Sequence, residues 1–292
     1  MLILDAHPAL GTRWWVEVFD GGVDPTVLAP HLTDRIEAFE ARYSRFREDS
    51  LVSQLNRTGE LIEPPAELLE LLTDALYFAE VTDGVFNVLV GAELVRRGYD
   101  AHYSLTESEA APAPPPDPTH ALTLSPQRIT LTSGSLDLGG FGKGYLIDLL
   151  VRELRESWGL AHFLINGGGD VYASSQGGAP LTIHLEDPTT PGHALGAIAL
   201  FEQGFAASAG NRRRWHGRAG PVTHLVDARD PSAPPPPTAT FVVADCAAEA
   251  DMWATTLTLS GTSGAPPGLA WAQYDPETRR LRASSPFHLL QP

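Results

Sequence analysis

The sequence is poor in cysteine and in positive charge. A single cysteine, Cys246, in 292 residues excludes an intramolecular disulfide and a cysteine-rich metal cluster. Lysine and arginine together number 20 against 36 aspartates and glutamates, which leaves a net charge of −16. This charge argues against nucleic acid as a partner and against anionic membrane surfaces. Any phosphate-bearing ligand therefore needs a locally positive or metal-bridged site.

Several motifs and segments are also missing. No apolar run is long enough to span a membrane, and the first residues, Met-Leu-Ile-Leu-Asp-Ala-His, lack the basic and apolar regions of a signal peptide. We therefore expect a cytoplasmic protein with no intrinsic membrane segment; a leader already removed would leave the same sequence. The lack of a Gly-x-Ser-x-Gly elbow argues against a serine hydrolase. The lack of a His-x-x-x-His pair argues against a zinc site.

A glycine-rich segment from Ser135 to Asp148 lies near the middle of the chain. It reads Ser-Leu-Asp-Leu-Gly-Gly-Phe-Gly-Lys-Gly-Tyr-Leu-Ile-Asp, an order typical of a strand, a glycine turn and the start of a helix. Glycines let the backbone approach a bound group closely, and the first N–H groups of a helix attract anions. The segment fits neither a Walker loop nor the Rossmann fingerprint. It is interpreted either as a phosphate or nucleotide cradle or as a plain strand-to-helix turn.

Hydrophobic periodicity predicts an α+β fold, because many strands and a few helices follow one another without strict alternation. Helices are expected over Pro30 to Phe46, after the Ser50 cap, and over Pro64 to Val81, Tyr145 to Trp158 and Cys246 to Leu259. Expected strands include Leu10 to Phe19, a hairpin within Ala121 to Leu131, Thr223 to Asp227, Thr240 to Ala244 and two or three closing strands after Ala270. The proline-rich segment 101–120 is predicted to be a mobile surface spacer.

Seven short motifs occur in one order along the chain. They are Gly11-Thr12 before a strand, Ser50-Leu-Val-Ser-Gln-Leu-Asn56, Thr82-Asp-Gly-Val-Phe86, Asp137-Leu-Gly-Gly-Phe-Gly-Lys-Gly-Tyr145 with Asp148, Asn166-Gly-Gly-Gly-Asp170, His224-Leu-Val-Asp227 and Ala250-Asp-Met-Trp-Ala-Thr255. Together they resemble the ApbE-type FAD:protein FMN transferases, over roughly Leu10 to Leu259. The resemblance implies an ApbE-like, T-fold-like α+β fold with mixed and antiparallel sheets and packed helices. It also implies one domain over residues 1–292, with FAD between two intimate lobes.

The resemblance implies a chemistry as well. An enzyme of this type binds FAD together with Mg²⁺, cleaves the pyrophosphate and releases AMP. It passes FMN to a Thr or Ser hydroxyl of an acceptor flavoprotein subunit and forms a phosphoester bond. FAD is then a substrate, Mg²⁺ a cofactor and the acceptor subunit a partner.

Three residues fall on the family's metal-binding positions: Gly140 through its backbone carbonyl, Asp251 and Thr255. Asp251 and Thr255 are four residues apart, so they lie one above the other on a helix face. A carboxylate and a hydroxyl are hard oxygen ligands that suit Mg²⁺. Without the resemblance, the same pair would be interpreted as solvated or helix-capping side chains.

Eight further residues fall on FAD-contacting positions: Leu10, Phe46, Val85, Phe86, Asn87, Asp137, Lys143 and Val226. Leu10 and Phe46 stand where the family often has Met and Tyr, as an apolar wall and a stacking surface, or they belong to the core. Asp137 would accept hydrogen bonds from ribose or adenine. Lys143 would contact phosphate or a polar edge of the dinucleotide, or it is a surface lysine beside a flexible loop.

His224 matches a family histidine near the reacting phosphates. It is a candidate general base for the incoming hydroxyl, a phosphate contact, or a structural histidine in a strand.

The chain departs from the family pattern at several positions. Asn87 replaces an aspartate, Ala228 and Asp230 alter the loop after His224, and Arg212 replaces a tyrosine while Arg214 keeps the family arginine. This arginine cluster would bind phosphate or an acidic patch of the acceptor, or it is a solvated hairpin tip. These departures leave open an FAD-binding protein without transfer activity and an FAD pyrophosphatase. The sequence also leaves a flavin oxidoreductase open, although nothing in it marks a nicotinamide site.

Overall fold

The computed structural model describes residues 1–210, 213–218, 220–234 and 237–290. Within these ranges seven helices form: α1 Pro25–Tyr43, α2 Leu51–Thr58, α3 Ala66–Val81, α4 Gly91–Arg96, α5 Pro118–Ala121, α6 Gly142–Glu156 and α7 Ala247–Ser260. Fifteen strands accompany them: β1 Leu2–Ala9, β2 Thr12–Val18, β3 Glu60–Ile62, β4 Leu122–Leu124, β5 Arg128–Leu131, β6 His162–Gly167, β7 Val171–Ser175, β8 Leu181–Glu186, β9 Ala194–Leu200, β10 Gln203–Ala209, β11 Arg214–His216, β12 Pro221–Thr223, β13 Ala239–Ala244, β14 Ala270–Asp275 and β15 Arg280–Ala283. Arg212, which stands where the family has a tyrosine, lies outside these ranges.

The central element is an eight-stranded sheet with the order β1-β2-β6-β7-β10-β13-β14-β15. Every neighbouring pair in it is antiparallel. Three smaller sheets, β3-β5-β4, β8-β9 and β11-β12, are antiparallel as well. The α+β prediction is confirmed. The prediction of mixed sheets is wrong for the described strands, where parallel pairing is limited to one isolated bridge between Val90 and Ser135.

The large sheet is buried on both faces. Tyr172, Ala206 and Val242 belong to the main core, which also contains the apolar sides of α1, α6 and α7. Their chain neighbours Val171 and Phe205 belong to a second core under the β8-β9 hairpin, because successive side chains of a strand point to opposite faces. No helix in the described ranges is both long and apolar enough to cross a bilayer.

Helix α1 begins more than a turn before the predicted start. Asp24 caps it by accepting a hydrogen bond from the Thr26 backbone N–H at 2.9 Å, and Pro25 occupies the first turn, where its missing N–H costs nothing. Pro30, which the sequence suggested as the start, therefore lies inside the helix.

Strand β1 was not predicted from the sequence, because its apolar and polar residues do not alternate regularly. Its pairing with β2 shifts register twice, between Leu2 and Leu4 and between Leu4 and His7, and Ala6 has a positive φ of 52°. At such a bulge an extra residue interrupts the alternation of inward and outward side chains, so the strand does not show the period of two by which strands are recognised in a sequence.

Candidate functional site

A cavity of about 500 Å³ gathers residues from nearly the whole length of the chain. All twelve residues that the sequence singled out line it: Leu10, Phe46, Val85, Phe86, Asn87, Asp137, Gly140, Lys143, His224, Val226, Asp251 and Thr255. The structure thus brings the predicted site residues together in one place. The role of each one remains a proposal.

The glycine loop is anchored by residues far from it in sequence. The Asn56 side chain donates to the Leu136 carbonyl at 3.0 Å and accepts from the Leu136 N–H at 2.7 Å. Asp137, which is buried, forms an ion pair with Arg45 and accepts a hydrogen bond from the Gly139 N–H at 2.7 Å. Asp137 therefore organises the loop, and any FAD contact that it makes is additional to these bonds.

Gly140 lies against the ring of Phe86. A Cβ on Gly140 would stand 2.8 Å from Phe86 Cε2, so a larger residue there requires the ring to move. Phe86 is held by edge-to-face contacts with Phe78 and Phe141, with centroids 6.1 and 5.8 Å away. This aromatic cluster supports the loop backbone where it borders the cavity.

Helices α6 and α7 meet at their first turns. Asp148 of α6 accepts hydrogen bonds from the N–H groups of Ala247 and Ala248, both at 2.8 Å, and so caps α7 from another element. A Cβ on Gly144 would stand 2.3 Å from the Ala247 carbonyl oxygen, so the glycine permits this close approach. The contact places the Gly144 N–H 3.3 Å from Asp251 Oδ2.

Lys143 is ion-paired with two buried carboxylates. Its Nζ lies 2.9 Å from Asp170 Oδ2 and 3.0 Å from Asp251 Oδ2. Burial, helped by the Asp170 charge, raises the pKa of Asp251 above its ordinary value. Burial opposes the charge on Lys143, but the two carboxylates outweigh it and raise the pKa of the ammonium. The alternative of a surface lysine is therefore wrong.

The same place offers a set of oxygen donors for a metal ion. Asp251, Thr255 one turn later and Gly140 all border the cavity, and Asp170 adds a second carboxylate. These are the donors that Mg²⁺ prefers, and the Lys143 ammonium shows that these carboxylates accommodate a cation. The donor chemistry fits Mg²⁺, although in the described part of the chain no cluster of three or more His, Cys, Asp or Glu side chains forms a ready-made metal site.

His224 lies in the loop that follows β12, because that strand ends at Thr223; the prediction of a strand through His224 is wrong. The buried guanidinium of Arg97 holds this loop. The Nε atom of Arg97 lies 3.0 Å from Glu93 Oε1, with which it forms an ion pair. Arg97 donates to three carbonyl oxygens, those of Thr223 at 3.1 Å, Leu225 at 2.8 Å and Pro231 at 2.8 Å. The altered loop at Ala228 to Pro231 is thus tied to α4.

The His224 imidazole is neutral near pH 7. Burial lowers its pKa to about 3, and the charges of Arg213 and Lys143 act in the same direction. Its Nδ1 atom is buried and has no hydrogen-bond partner among the described residues. A neutral imidazole with an unpaired ring nitrogen can accept a proton or a hydrogen bond.

Phe46 stands in an aromatic wall. Its ring stacks parallel on Tyr103 with centroids 5.0 Å apart, and the Arg45 guanidinium carbon lies 4.2 Å from the Phe46 centroid. Phe46 and Leu10 each pack against an apolar cluster and also border the cavity. Their packing role is therefore confirmed, and contact with FAD stays a prediction.

The Asn87 side chain is engaged by the backbone. Its Nδ2 donates to the Pro116 carbonyl at 3.0 Å, and its Oδ1 accepts from the Leu89 N–H at 2.8 Å. Asn87 thereby anchors the proline-rich segment, which Glu107 also fixes by pairing with Arg96 at 2.8 Å. These two contacts hold the segment against the rest of the protein at Pro116 and Glu107, and its mobility elsewhere stays a prediction.

Further residues line the cavity without having been predicted as site residues, among them four charged or aromatic ones: Arg45, Tyr103, Asp170 and Arg213. Asp170 had a signal, since it ends the Asn-Gly-Gly-Gly-Asp motif where a turn follows β6. Arg213 had a signal too, since it stands in the arginine cluster between Arg212 and Arg214. Arg45 and Tyr103 had none, because they come from a helix end and a proline-rich loop that only the tertiary structure brings together.

Residues 10–279 match the model of the ApbE family. The chain belongs to the ApbE family. It is 27% identical over 285 residues to the FAD:protein FMN transferase of Salmonella typhimurium, a match covering 88% of this chain and 78% of that protein. The FAD:protein FMN transferase of Haemophilus influenzae is 24% identical over 242 residues, or 75% of this chain and 68% of that protein.

Solved structures show the same fold. The ApbE protein of Thermotoga maritima superimposes with a TM-score of 0.84 at 22% identity, covering 98% of this chain and 97% of its own. The flavin transferase ApbE of Vibrio cholerae gives 0.77 at 20% identity and covers 96% of both chains. The ApbE-like architecture expected from the motifs is therefore confirmed.

Proposed function

We propose that this transferase is a Mg²⁺-dependent FAD:protein FMN transferase, which moves FMN from FAD to a Thr or Ser hydroxyl of an acceptor flavoprotein subunit and releases AMP. The observation that carries the proposal is the shared cavity. It contains the neutral His224, the Lys143 cation and the oxygen donors around Asp251. Both family relatives described above are named FAD:protein FMN transferase, which supports FMN transfer to a protein.

The charge balance of the cavity supports a metal requirement. Three cationic side chains line it, those of Arg45, Lys143 and Arg213. Four carboxylates line it too, those of Glu40, Asp137, Asp170 and Asp251. A pyrophosphate would add negative charge to a cavity in which carboxylates already outnumber the cations, in a protein of net charge −16. Bound by Asp251, Thr255 and the Gly140 carbonyl, Mg²⁺ would neutralise part of the pyrophosphate charge.

The proposed reaction exchanges one phosphorus–oxygen bond for another. The acceptor hydroxyl oxygen attacks the phosphorus on the FMN side of FAD, and the bond from that phosphorus to the bridging oxygen breaks. AMP leaves with the bonding electron pair, and the hydroxyl proton passes to a base. His224, neutral and with an unpaired Nδ1 among the described residues, is the candidate for that base.

One assay tests this proposal. The protein is incubated with FAD, Mg²⁺ and an acceptor domain that carries a flavinylation motif, and the acceptor mass and free AMP are measured. A mass increase equal to FMN together with AMP supports transfer. AMP and free FMN without an adduct indicate an FAD pyrophosphatase, and bound FAD without AMP indicates a binding protein; either result contradicts the proposal.

A further inference from the structure

A groove of about 400 Å³ opens beside the cavity; we call it the side groove. Four of its lining residues also line the cavity: Gly11, Tyr99, Tyr103 and Arg213. The other three are Leu105, Arg214 and Trp215. Because the two spaces share a wall, a chain lying in the side groove is adjacent to whatever occupies the cavity.

The side groove presents apolar surface to solvent. Tyr103 is 47% exposed and Leu105 is 43% exposed. Trp215 forms a rigid floor, since its Nε1 donates to the Arg97 carbonyl at 2.8 Å and its ring stacks on Tyr99 with centroids 5.9 Å apart. Exposed apolar side chains that cluster beside a site are typical of a surface that binds another molecule.

The side groove also carries uncompensated positive charge. Among the described residues, the Arg213 guanidinium donates to two neutral groups, the Tyr99 hydroxyl at 2.7 Å and the Gly11 carbonyl at 2.8 Å. Arg214 is exposed, and within the described ranges its side chain has neither an ion pair nor a hydrogen bond. In a protein of net charge −16, this local charge favours an acidic partner.

Two backbone features suit an extended partner. Strand β11, which supplies Arg214 and Trp215, has β12 as its one strand neighbour in the described part of the chain. An extended segment of a partner could add to such an edge. Tyr103, Leu105 and Arg213 all have φ values near 50°, a left-handed conformation that non-glycine residues keep mainly where a functional site requires it.

We propose that the side groove binds the acceptor protein through an extended acidic segment, whose Thr or Ser hydroxyl reaches into the cavity. A carboxylate of that segment pairs with Arg214, and its apolar side chains lie on Tyr103, Leu105 and Trp215. This inference rests on the proposed transferase function, because that function requires a protein hydroxyl to approach the FAD phosphates from outside the cavity.

The test uses the full-length protein and two short synthetic peptides labelled with fluorescein. Both carry a central threonine; aspartates flank it in one peptide, and lysines replace them in the other. Fluorescence anisotropy gives the Kd of each peptide for the FAD-loaded protein. The variants are Arg214→Glu and, as the matched control, Arg280→Glu, since Arg280 is an exposed arginine on β15. Quenching of flavin fluorescence shows whether each variant still binds FAD.

The wild-type protein and Arg280→Glu should bind the aspartate peptide at least about tenfold more tightly than the lysine peptide, and Arg214→Glu should lose or reverse that preference. FAD binding should be unchanged in both variants. In the transfer assay, Arg214→Glu should raise KM for the aspartate peptide and leave kcat nearly constant. An aspartate peptide that binds Arg214→Glu as well as wild type would overturn the proposal.

The side groove and the transferase function can be refuted separately. Transfer to the aspartate peptide with the same KM in Arg214→Glu would refute the side groove and leave the transferase function intact. Peptide binding that depends on Arg214, without an FMN adduct on any acceptor, would support the side groove as a peptide site and refute the transferase function.

Discussion

At the scale of single residues, Asp251 contacts both helices of the site. It lies on α7 and accepts hydrogen bonds from the Lys143 side chain and the Gly144 N–H at the start of α6. Thr255 follows one turn later, and Asp170 faces the same lysine. A change at Asp251 therefore alters the proposed metal site and the ion pair together.

We expect Asp251→Asn to lower the rate of AMP release by about 10²–10³-fold, because a charged oxygen donor is replaced by a neutral amide of similar size. The Mg²⁺ concentration for half-maximal activity should also rise. A Mg²⁺ titration of AMP release measures both quantities. Asp245→Asn is the control, since Asp245 is exposed just before α7. An unchanged Mg²⁺ titration in Asp251→Asn would show that the metal assignment is wrong.

The burial of His224 predicts that the stability of the folded protein depends on pH. An unfolded histidine has a pKa of about 6.5, whereas burial lowers the pKa of His224 to about 3. Between these values the unfolded chain binds a proton that the folded chain does not bind. This residue therefore makes stability fall as pH falls from about 6.5 towards 3, by up to about 1.4 kcal/mol per pH unit.

Urea unfolding at several pH values between 4.5 and 6.5 checks this expectation. The acid-induced loss of stability should be shallower in His224→Asn than in wild type by up to about one proton. His184→Asn, an exposed histidine on β8, should keep the wild-type slope. Equal slopes in His224→Asn and wild type would show that His224 is not held neutral in the folded protein.

At the scale of secondary structure, the pairing of α6 with α7 builds the site. Asp148 caps α7, and Gly144 lets the two helices approach closely. Each helix was predicted from its own periodicity. Their contact was not, because it depends on a side chain of one helix satisfying N–H groups of the other.

We expect Gly144→Ala to lower the free energy of unfolding by about 1–3 kcal/mol, because its methyl group would meet the Ala247 backbone. Gly142→Ala is the matched control in the same turn, since its Cβ would stand 3.5 Å from Leu138 Cβ, an ordinary contact. Urea denaturation measures both. Equal free energies of unfolding in the two variants would mean that α6 and α7 can move apart to accommodate the methyl group without loss of stability.

At the scale of the whole molecule, the cavity links distant parts of the chain, from Leu10 to Leu259. A ligand that fills the cavity contacts all of these parts at once, so its binding should raise the free energy of unfolding of the whole chain. FAD at about a hundred times its Kd adds about 2.7 kcal/mol, and in a protein of this size each kcal/mol raises Tm by roughly 2–4 °C.

Thermal unfolding with FAD, with FAD and Mg²⁺, and with AMP as the control measures this coupling. We expect FAD to raise Tm by on the order of 5–10 °C, with a further rise on adding Mg²⁺. Asp251→Asn should lose the Mg²⁺-dependent part and keep some of the FAD effect. A Tm that does not respond to FAD would exclude the cavity as a flavin site.

The sequence alone was enough to predict the α+β class, most helices and the glycine loop. These depend on local periodicity, on caps such as Ser50 and on glycine spacing, which neighbouring residues largely determine. The four-residue spacing of Asp251 and Thr255 is local in the same way. The ordered motifs added the family, and with it twelve of the residues that line the cavity.

Only the tertiary structure decided how these residues are connected. The pairs Arg45–Asp137 and Lys143–Asp170, the Arg97 contacts that hold the His224 loop and the engagement of Asn87 by Pro116 all join segments far apart in sequence. The neutral state of His224 follows from its burial, which no local pattern encodes. Long-range contacts of this kind depend on how every element packs, so periodicity and spacing could not reveal them.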